Sequence, residues 1–310
     1  MNGQITSTAP ALQAAPRAAN GDARFGRNFS GLLASCGFIA LLSLSQNHAA
    51  LAQTAPNLGS TATYAVVSTT YTNSNTSPQT ILNGTAGQPA VCYTTAPVTP
   101  PLTTVGTTIV PCPPVTGVDQ GLAVANLNGQ ACVSLGAGAI TLNSVIIGAN
   151  PPGTIPPGCY SSGGAMNVVA TTTVTLNGAG VYIFRPGGAL ATGANSRVIL
   201  ANGACANDVF WAPIGATTIG ANAALSPTPT FVGNILDAAG ISIGQFANLT
   251  GRALAFGGTV TTDAVTITVP TCAPFGLSPV SGPTLSEWAM VMLTALLAFA
   301  GFAALRKRER

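Results

Sequence analysis

Residues Ala165 to Ala212 read AMNVVATTTVTLNGAGVYIFRPGGALATGANSRVILANGACANDVFWA, and the fold turns on this stretch. Short β-rich runs alternate with small-residue corners. VVATTTVTL (Val168 to Leu176) ends at Asn177-Gly178, and VYIF (Val181 to Phe184) ends at Pro186-Gly187-Gly188. SRVIL (Ser196 to Leu200) ends at Asn202-Gly203, and DVFWA (Asp208 to Ala212) follows. β-Branched and aromatic residues suit a pleated, half-buried surface, while Asn-Gly and Pro-Gly suit turns. Strands this short and this closely spaced build a sandwich, a barrel or a solenoid.

The same rhythm continues toward the C-terminus with TFVGNIL (Thr230 to Leu236), ISI (Ile241 to Ile243), RALAF (Arg252 to Phe256) and TVTTDAVTITV (Thr259 to Val269). Corners recur as Thr192-Gly193-Ala194-Asn195, Ile219-Gly220-Ala221-Asn222 and Ile243-Gly244 followed by Ala247-Asn248, with glycines 27 and 24 residues apart. Irregular periods in this range suit a solenoid whose coils carry insertions such as Ser226-Pro227-Thr228-Pro229. Toward the N-terminus, TYAVVSTT (Thr63 to Thr70) reads as a strand. Asn83 to Thr116 is rich in Pro and Thr and holds two cysteines, which predicts a long stapled loop. Asp119 to Gln130 reads as a short helix with Asp119 as its N-cap, a strand being the alternative.

Charge is scarce. From Gln53 to Val280 there are four acids (Asp119, Asp208, Asp237, Asp263) and three bases (Arg185, Arg197, Arg252), with no Lys, Glu or His. Seven of the ten basic residues of the chain lie in its two ends. A nucleic-acid partner needs clustered Lys and Arg, so none is expected. Catalysis is equally poorly provided for. The single His48 lies ahead of the domain, so a triad lacks its base, and paired-carboxylate hydrolysis would need two of four scattered Asp to converge. The expectation is no enzyme and no cofactor.

The ends read as sorting segments. Arg24 and Arg27 precede an apolar stretch from Leu32 to Leu44, then Ala50-Leu51-Ala52, the order of a secretory signal covering residues 1–52. At the other end, Trp288 to Leu305 carries no charge and Arg306-Lys307-Arg308 follows. As a helix these 18 residues would span about 27 Å, close to the hydrocarbon thickness, with the basic cluster left cytoplasmic. Residues 53–280 are then the exported domain, and 281–310 a segment holding it to the membrane of the cell envelope or processed to release it.

Without Cys36, six cysteines remain, an even count that favours disulfides in an exported chain. Fifteen connectivities are open. Local pairing favours Cys92–Cys112 and Cys132–Cys159. No pair has metal-ligand spacing.

Two resemblances emerge from particular residues. Pro283-Thr284-Leu285-Ser286-Glu287-Trp288, with the apolar span and basic end behind it, resembles the IPTL type of bacterial C-terminal sorting tail, with Gly282 where that motif has Ile. This implies a sorting protease as partner. NLGSTATYAVVSTT (Asn57 to Thr70), GCYSS (Gly158 to Ser162), GVYIF (Gly180 to Phe184), ANGACANDVFW (Ala201 to Trp211), TFVGNIL, GRALA and GTVTTDAVTIT (Gly258 to Thr268) resemble the microbial ice-binding-protein family. That resemblance implies a mainly β fold: a discontinuous right-handed β-solenoid of triangular cross-section with one flanking α-helix. It also implies adsorption to ice for some members.

Ice offers a lattice of water oxygens and no charge. A face that binds it must be flat, rigid and lined with small groups, for which Thr supplies a hydroxyl, a methyl and a stiff χ1. Candidates are Thr171, Thr173 and Thr175 along one strand, Thr192 and Asn195 around Gly193-Ala194, and Thr217, Asn222, Thr259 and Thr261. Thr is common on strands for ordinary reasons, so the alternative is a structural or adhesive solenoid facing an extracellular surface or polysaccharide. Phe184, Phe210 and Trp211 are expected in the core, and the three arginines are expected to pair with Asp208, Asp237 or carbonyls.

Overall fold

The computed structural model describes residues 53–74, 78–95, 102–226 and 228–272. The expected signal segment and the span 288–305 lie outside these residues. Among the described residues no helix is long and apolar enough to cross a membrane.

The chain is mainly β, coiled so that parallel strands stack on three sides, with one α-helix. One stack runs Val133–Ser134, Gly158–Ser162, Tyr182–Pro186, Val209–Trp211, Phe231–Leu236, and then the first part of Asn248–Thr262. A second runs Ile140–Thr141, Met166–Val168, Leu190–Thr192, Thr217–Ile219, Ile241–Ile243 and the last part of Asn248–Thr262. The third begins with Thr154–Ile155, Thr173–Asn177 and Arg197–Ala201.

The stacking order is not the chain order. Strand Asn248–Thr262 pairs on one side with Phe231–Leu236 and Ile241–Ile243, and on the other with the N-terminal strand Val66–Asn73. Beyond Val66–Asn73 lie Pro89–Cys92 and Thr107–Ile109. On the third side, Thr266–Thr268 is followed by Ile81–Asn83 and Thr103–Val105. The Pro/Thr-rich segment is therefore not one stapled loop as its composition predicts, for it supplies short strands to two further coils. Pro89 begins one of these strands, a position where a missing N–H costs no ladder bond.

Strand alternation fills the centre. Tyr160, Phe184, Trp211 and Phe231 form a buried aromatic ladder with ring centroids 5.7, 4.1 and 5.1 Å apart. Each such contact adds about 0.5–1.5 kcal/mol beyond burial alone. The Trp211 indole N–H donates to the Val232 carbonyl at 2.9 Å, so the largest core side chain leaves no polar atom stranded.

The helix, α1 (Pro114–Gly129), begins five residues before the expected start, with Pro114 in the first turn where a missing N–H is harmless. Asp119 is consequently not the N-cap. From within the helix its carboxylate accepts from the Ser60 N–H at 2.7 Å and the Ser60 hydroxyl at 2.6 Å, and these bonds hold its pKa below the usual range. Thr116, Gln120, Ala123 and Leu127 face the first strand stack. Sixteen residues rise about 24 Å, or about five strand spacings, so α1 runs along the stack. Both expected disulfides form, Cys92–Cys112 just before α1 and Cys132–Cys159 just after it. Cys205–Cys272 is the third.

Candidate functional site

The three sides differ in what they expose. The first, the helix face, is covered by α1 and by residues 53–63, which bond to it through Ser60–Asp119 and Gln130–Thr54. The second is bare. Its central outward positions register as Thr141, Asn167, Ala191, Thr218, Ser242, Thr261 and Thr72, seven coils in succession. Beside this column the residues preceding each strand are Ala165, Ala189, Ala216 and Gly240, followed by Thr259 paired with Thr70. Neither column carries a charge or a large side chain. With strands about 4.8 Å apart, and alternate residues along a strand about 6.5 Å apart, this is a flat grid of hydroxyl, amide and methyl groups.

What makes the face flat is its inner side. Leu190 and Thr192 point inward around Ala191, and Thr217 and Ile219 do so around Thr218. Thr192 and Thr217 are buried, so the expectation that they lie on the surface is wrong. The Thr192 hydroxyl accepts from the Gly220 N–H at 2.9 Å, and the Thr217 hydroxyl donates to Asp237 Oδ2 at 2.6 Å. Asp237 also accepts from the Ala239 N–H at 2.8 Å. Burial nonetheless outweighs these bonds and raises its pKa. A buried hydroxyl needs a partner, and these two find one between neighbouring coils.

The corner glycines set the coil spacing. A Cβ on Gly193 or Gly220 would run into the backbone of the adjacent coil, at Ala170 and Gly193 respectively. Asn195 is exposed at this corner with φ 55°, and its side-chain carbonyl accepts from the Ala223 N–H at 2.8 Å. Asn222 is half-buried at the next. Thr171 is not part of a strand, because the strand begins at Thr173. With φ 59° it makes the corner, its N–H donating to the Ala194 carbonyl at 2.9 Å. Thr173 and Thr175 point outward on the third face. Of the candidate residues, Thr259 and Thr261 lie on the flat face. Thr72, Thr141, Asn167, Ala191, Thr218 and Ser242 complete its central column and were not singled out from sequence.

The third face has comparable ladders, Thr154–Thr175–Ile199 at one end and Thr250–Thr268–Asn83–Val105 at the other. They are separated by the loop holding Ser226 and Thr228. Arg197 pins it, donating to the Ser226 hydroxyl at 2.7 Å and to the Thr228 hydroxyl at 3.1 Å. A cleft of about 390 Å³ lies there among Arg197, Ile199, Thr228, Pro229 and Thr250.

The three arginines among the described residues have neutral partners. Arg185 donates to the Gln130 carbonyl at 3.0 Å. Arg252 donates to the Ala62 carbonyl at 2.8 Å and to the side-chain carbonyls of Asn207 (3.0 Å) and Asn234 (2.7 Å). Burial lowers the Arg252 pKa to about 10. Among the described residues no group of three or more His, Cys, Asp or Glu could hold a metal ion.

The family model described as ice-binding-like matches residues 57–268. This chain belongs to the ice-binding-like family. The family is non-enzymatic, and its members share the parallel solenoid described above. A second model, the IPTL-CTERM motif, matches residues 283–307 and points to export and C-terminal sorting. An ice-binding protein of Flavobacterium frigoris is 33% identical over 136 residues, 43% of this chain and 47% of that protein. Ice-binding protein 1 of Shewanella frigidimarina is 35% identical over 120 residues, 37% of this chain and 13% of that protein. The matched part thus spans less than half the length of these curated relatives. A crystal structure of an ice-binding protein from an Antarctic Flavobacteriaceae bacterium superposes with TM-score 0.58 at 26% identity, over 74% of this chain and 50% of that one. The Shewanella frigidimarina domain gives 0.54 at 23% identity, over 71% and 100%, and so speaks for the fold alone.

Proposed function

We propose that this chain binds ice through its flat face, as an antifreeze, an inhibitor of ice recrystallisation or a means of attachment to ice. One observation carries the reading: seven coils in succession present only small uncharged side chains at the centre of one face that no described segment covers. Each group contributes little, so the adsorption strength is the sum over a rigid plane, and rigidity comes from the stacked core behind it. The named relatives support the reading. It includes a right-handed coil of triangular section, a cleaved signal ending at Ala52, and a membrane-spanning helix over 288–305 that keeps the domain at the envelope until a sorting protease acts. Thermal hysteresis and ice recrystallisation measured on purified residues 53–280 test the function, and both should be present. Deleting residues 285–310 tests the anchor, and the protein should then appear in the medium.

The third face favours a second reading. Its loop, Arg197 and the cleft between them suit an extracellular polysaccharide or surface better than a lattice. Absence of any ice activity in the wild-type domain would make adhesion through this face the better account.

A further inference from the structure

Helix α1 has an unusual outer side. Its inner residues, Thr116, Gln120, Ala123 and Leu127, face the solenoid. Half a turn away, at spacings of three and four, come Val115, Val118, Leu122 and Ala125. Val115 is 51% exposed, Val118 61% and Leu122 63%, and exposed Ile214 lines a groove with Gly117 and Gly121 of the same helix. A helix lying on a solenoid and facing water ordinarily carries charged or polar residues there. This one has a single ionisable residue, Asp119, and that carboxylate is turned aside to Ser60. An apolar stripe of this kind marks a contact surface.

The course of the chain says what the contact is. The last described residue, Cys272, is tied to Cys205, and its carbonyl accepts from the Asn207 side-chain amide. Asn207 lies three residues before Phe210, which packs in the same cluster as Ala123 and Leu127 of α1. The chain thus leaves the solenoid at the border of the helix face, on the edge away from the flat face. Fifteen residues then separate Cys272 from Trp288, where the uncharged apolar stretch begins, a reach of at most about 58 Å.

We propose that the outer side of α1 (Val115, Val118, Leu122, Ala125) and Ile214 rest on the lipid surface that receives the C-terminal segment. The solenoid then lies with its helix face on the bilayer and its flat face turned to the outside. This rests on the anchoring reading above. It needs no basic residues, because the tail supplies the attachment and the stripe only orients the domain.

The test uses the full chain reconstituted in phosphatidylethanolamine–phosphatidylglycerol vesicles, isolated by flotation and exposed briefly to hydroxyl radicals. Val169 and Leu225, 48% and 51% exposed at the corner opposite the helix face, are internal references. By exposure alone Val118 and Leu122 should oxidise at least as much as these two. On vesicles the order should invert, with oxidation of Val118, Leu122 and Ile214 largely lost. In a Val118→Asn, Leu122→Gln variant flotation should persist while Ile214 regains its oxidation. Flotation without inversion overturns the proposal and leaves the anchor standing. Protection that appears only at high protein-to-lipid ratio assigns the stripe to a second copy of this chain and also overturns it. Failure to float removes the anchoring reading, and the lipid contact falls with it.

Discussion

The flat face and the third face are built from the same coils, and both set Thr in outward ladders, yet they are different surfaces. On the flat face the strands keep register from coil to coil, and Gly193 and Gly220 let neighbouring coils touch. The third face is interrupted where the loop with Ser226 and Thr228 leaves the stack, and Arg197 fixes that interruption in place. In the proposed reading threonine content alone does not make a lattice-binding plane; an uninterrupted register is also needed. A face is as flat as its least regular coil.

The sharpest way to break this contrast is a bulky residue at the centre of the flat face. Thr218→Tyr should abolish most ice activity, because a ring standing above the plane holds the other coils away from the lattice. Thr175→Tyr on the third face should leave most of it. Both residues point outward, so stability should change by no more than about 0.5 kcal/mol in either case. Equal losses in the two variants would show that both faces take part.

Neighbouring residues of one strand supply the next test. Thr217→Val removes the hydroxyl that donates to buried Asp237, and should cost about 1–3 kcal/mol in chemical denaturation. Thr218→Val, one residue on, should cost almost nothing and alter only ice activity. A smaller effect is expected from replacing residues 226–229 with a short Gly-containing turn. Flattening the third face should add modestly to ice activity if the loop is what excludes it from the lattice, and should leave thermal hysteresis unchanged if it is not.

The smallest effect is on pH. Burial raises the Asp237 pKa, so the folded protein holds that proton more tightly than the unfolded chain. Its contribution favours folding below the ordinary carboxylate range and is lost as pH rises through the folded pKa. Asp119 acts in the opposite sense, its contribution being lost as pH falls. Asp237→Asn should therefore make the melting temperature fall further on going from pH 7 to pH 4 than it does in the wild type, and Asp119→Asn should make it fall less.

How much of this was written legibly in the chain depends on length scale. The strands from Ala165 onward, the two local disulfides and the aromatic core were readable because each is a local pattern. Strand parity was readable too, though Thr192 and Thr217 were misplaced. Leu190 must face inward, so a period of two puts Ala191 outside and Thr192 inside. Ile219 likewise puts Thr218 outside and Thr217 inside. Alternation along the strand, not the affinity of threonine for water, decides which side each threonine takes. Buried Val260 likewise puts Thr259 and Thr261 outside. The early start of α1 was signalled by Pro114, whereas the two coils hidden in the Pro/Thr-rich segment were not, since three-residue strands exist only through their neighbours. The interruption of the third face is also invisible locally, because it depends on where a loop sits in the stack.

Strand Asn248–Thr262 has a consequence for how the molecule comes into being. It sits in mid-stack, between Phe231–Leu236 and Val66–Asn73, yet it is among the last parts of the domain to be synthesised. Before it is made, the coils from Val133 to Ile243 and those from Val66 to Ile109 are two separate fragments of a column, and so is the grid on the flat face. Only the arrival of this keystone joins them, at a sequence separation of nearly the whole domain, which slows folding because a large loop must close before the contact forms. A chain that cannot close its column until its final coil appears stays open through most of its synthesis, a state well matched to the proposed signal-led passage across a membrane before folding.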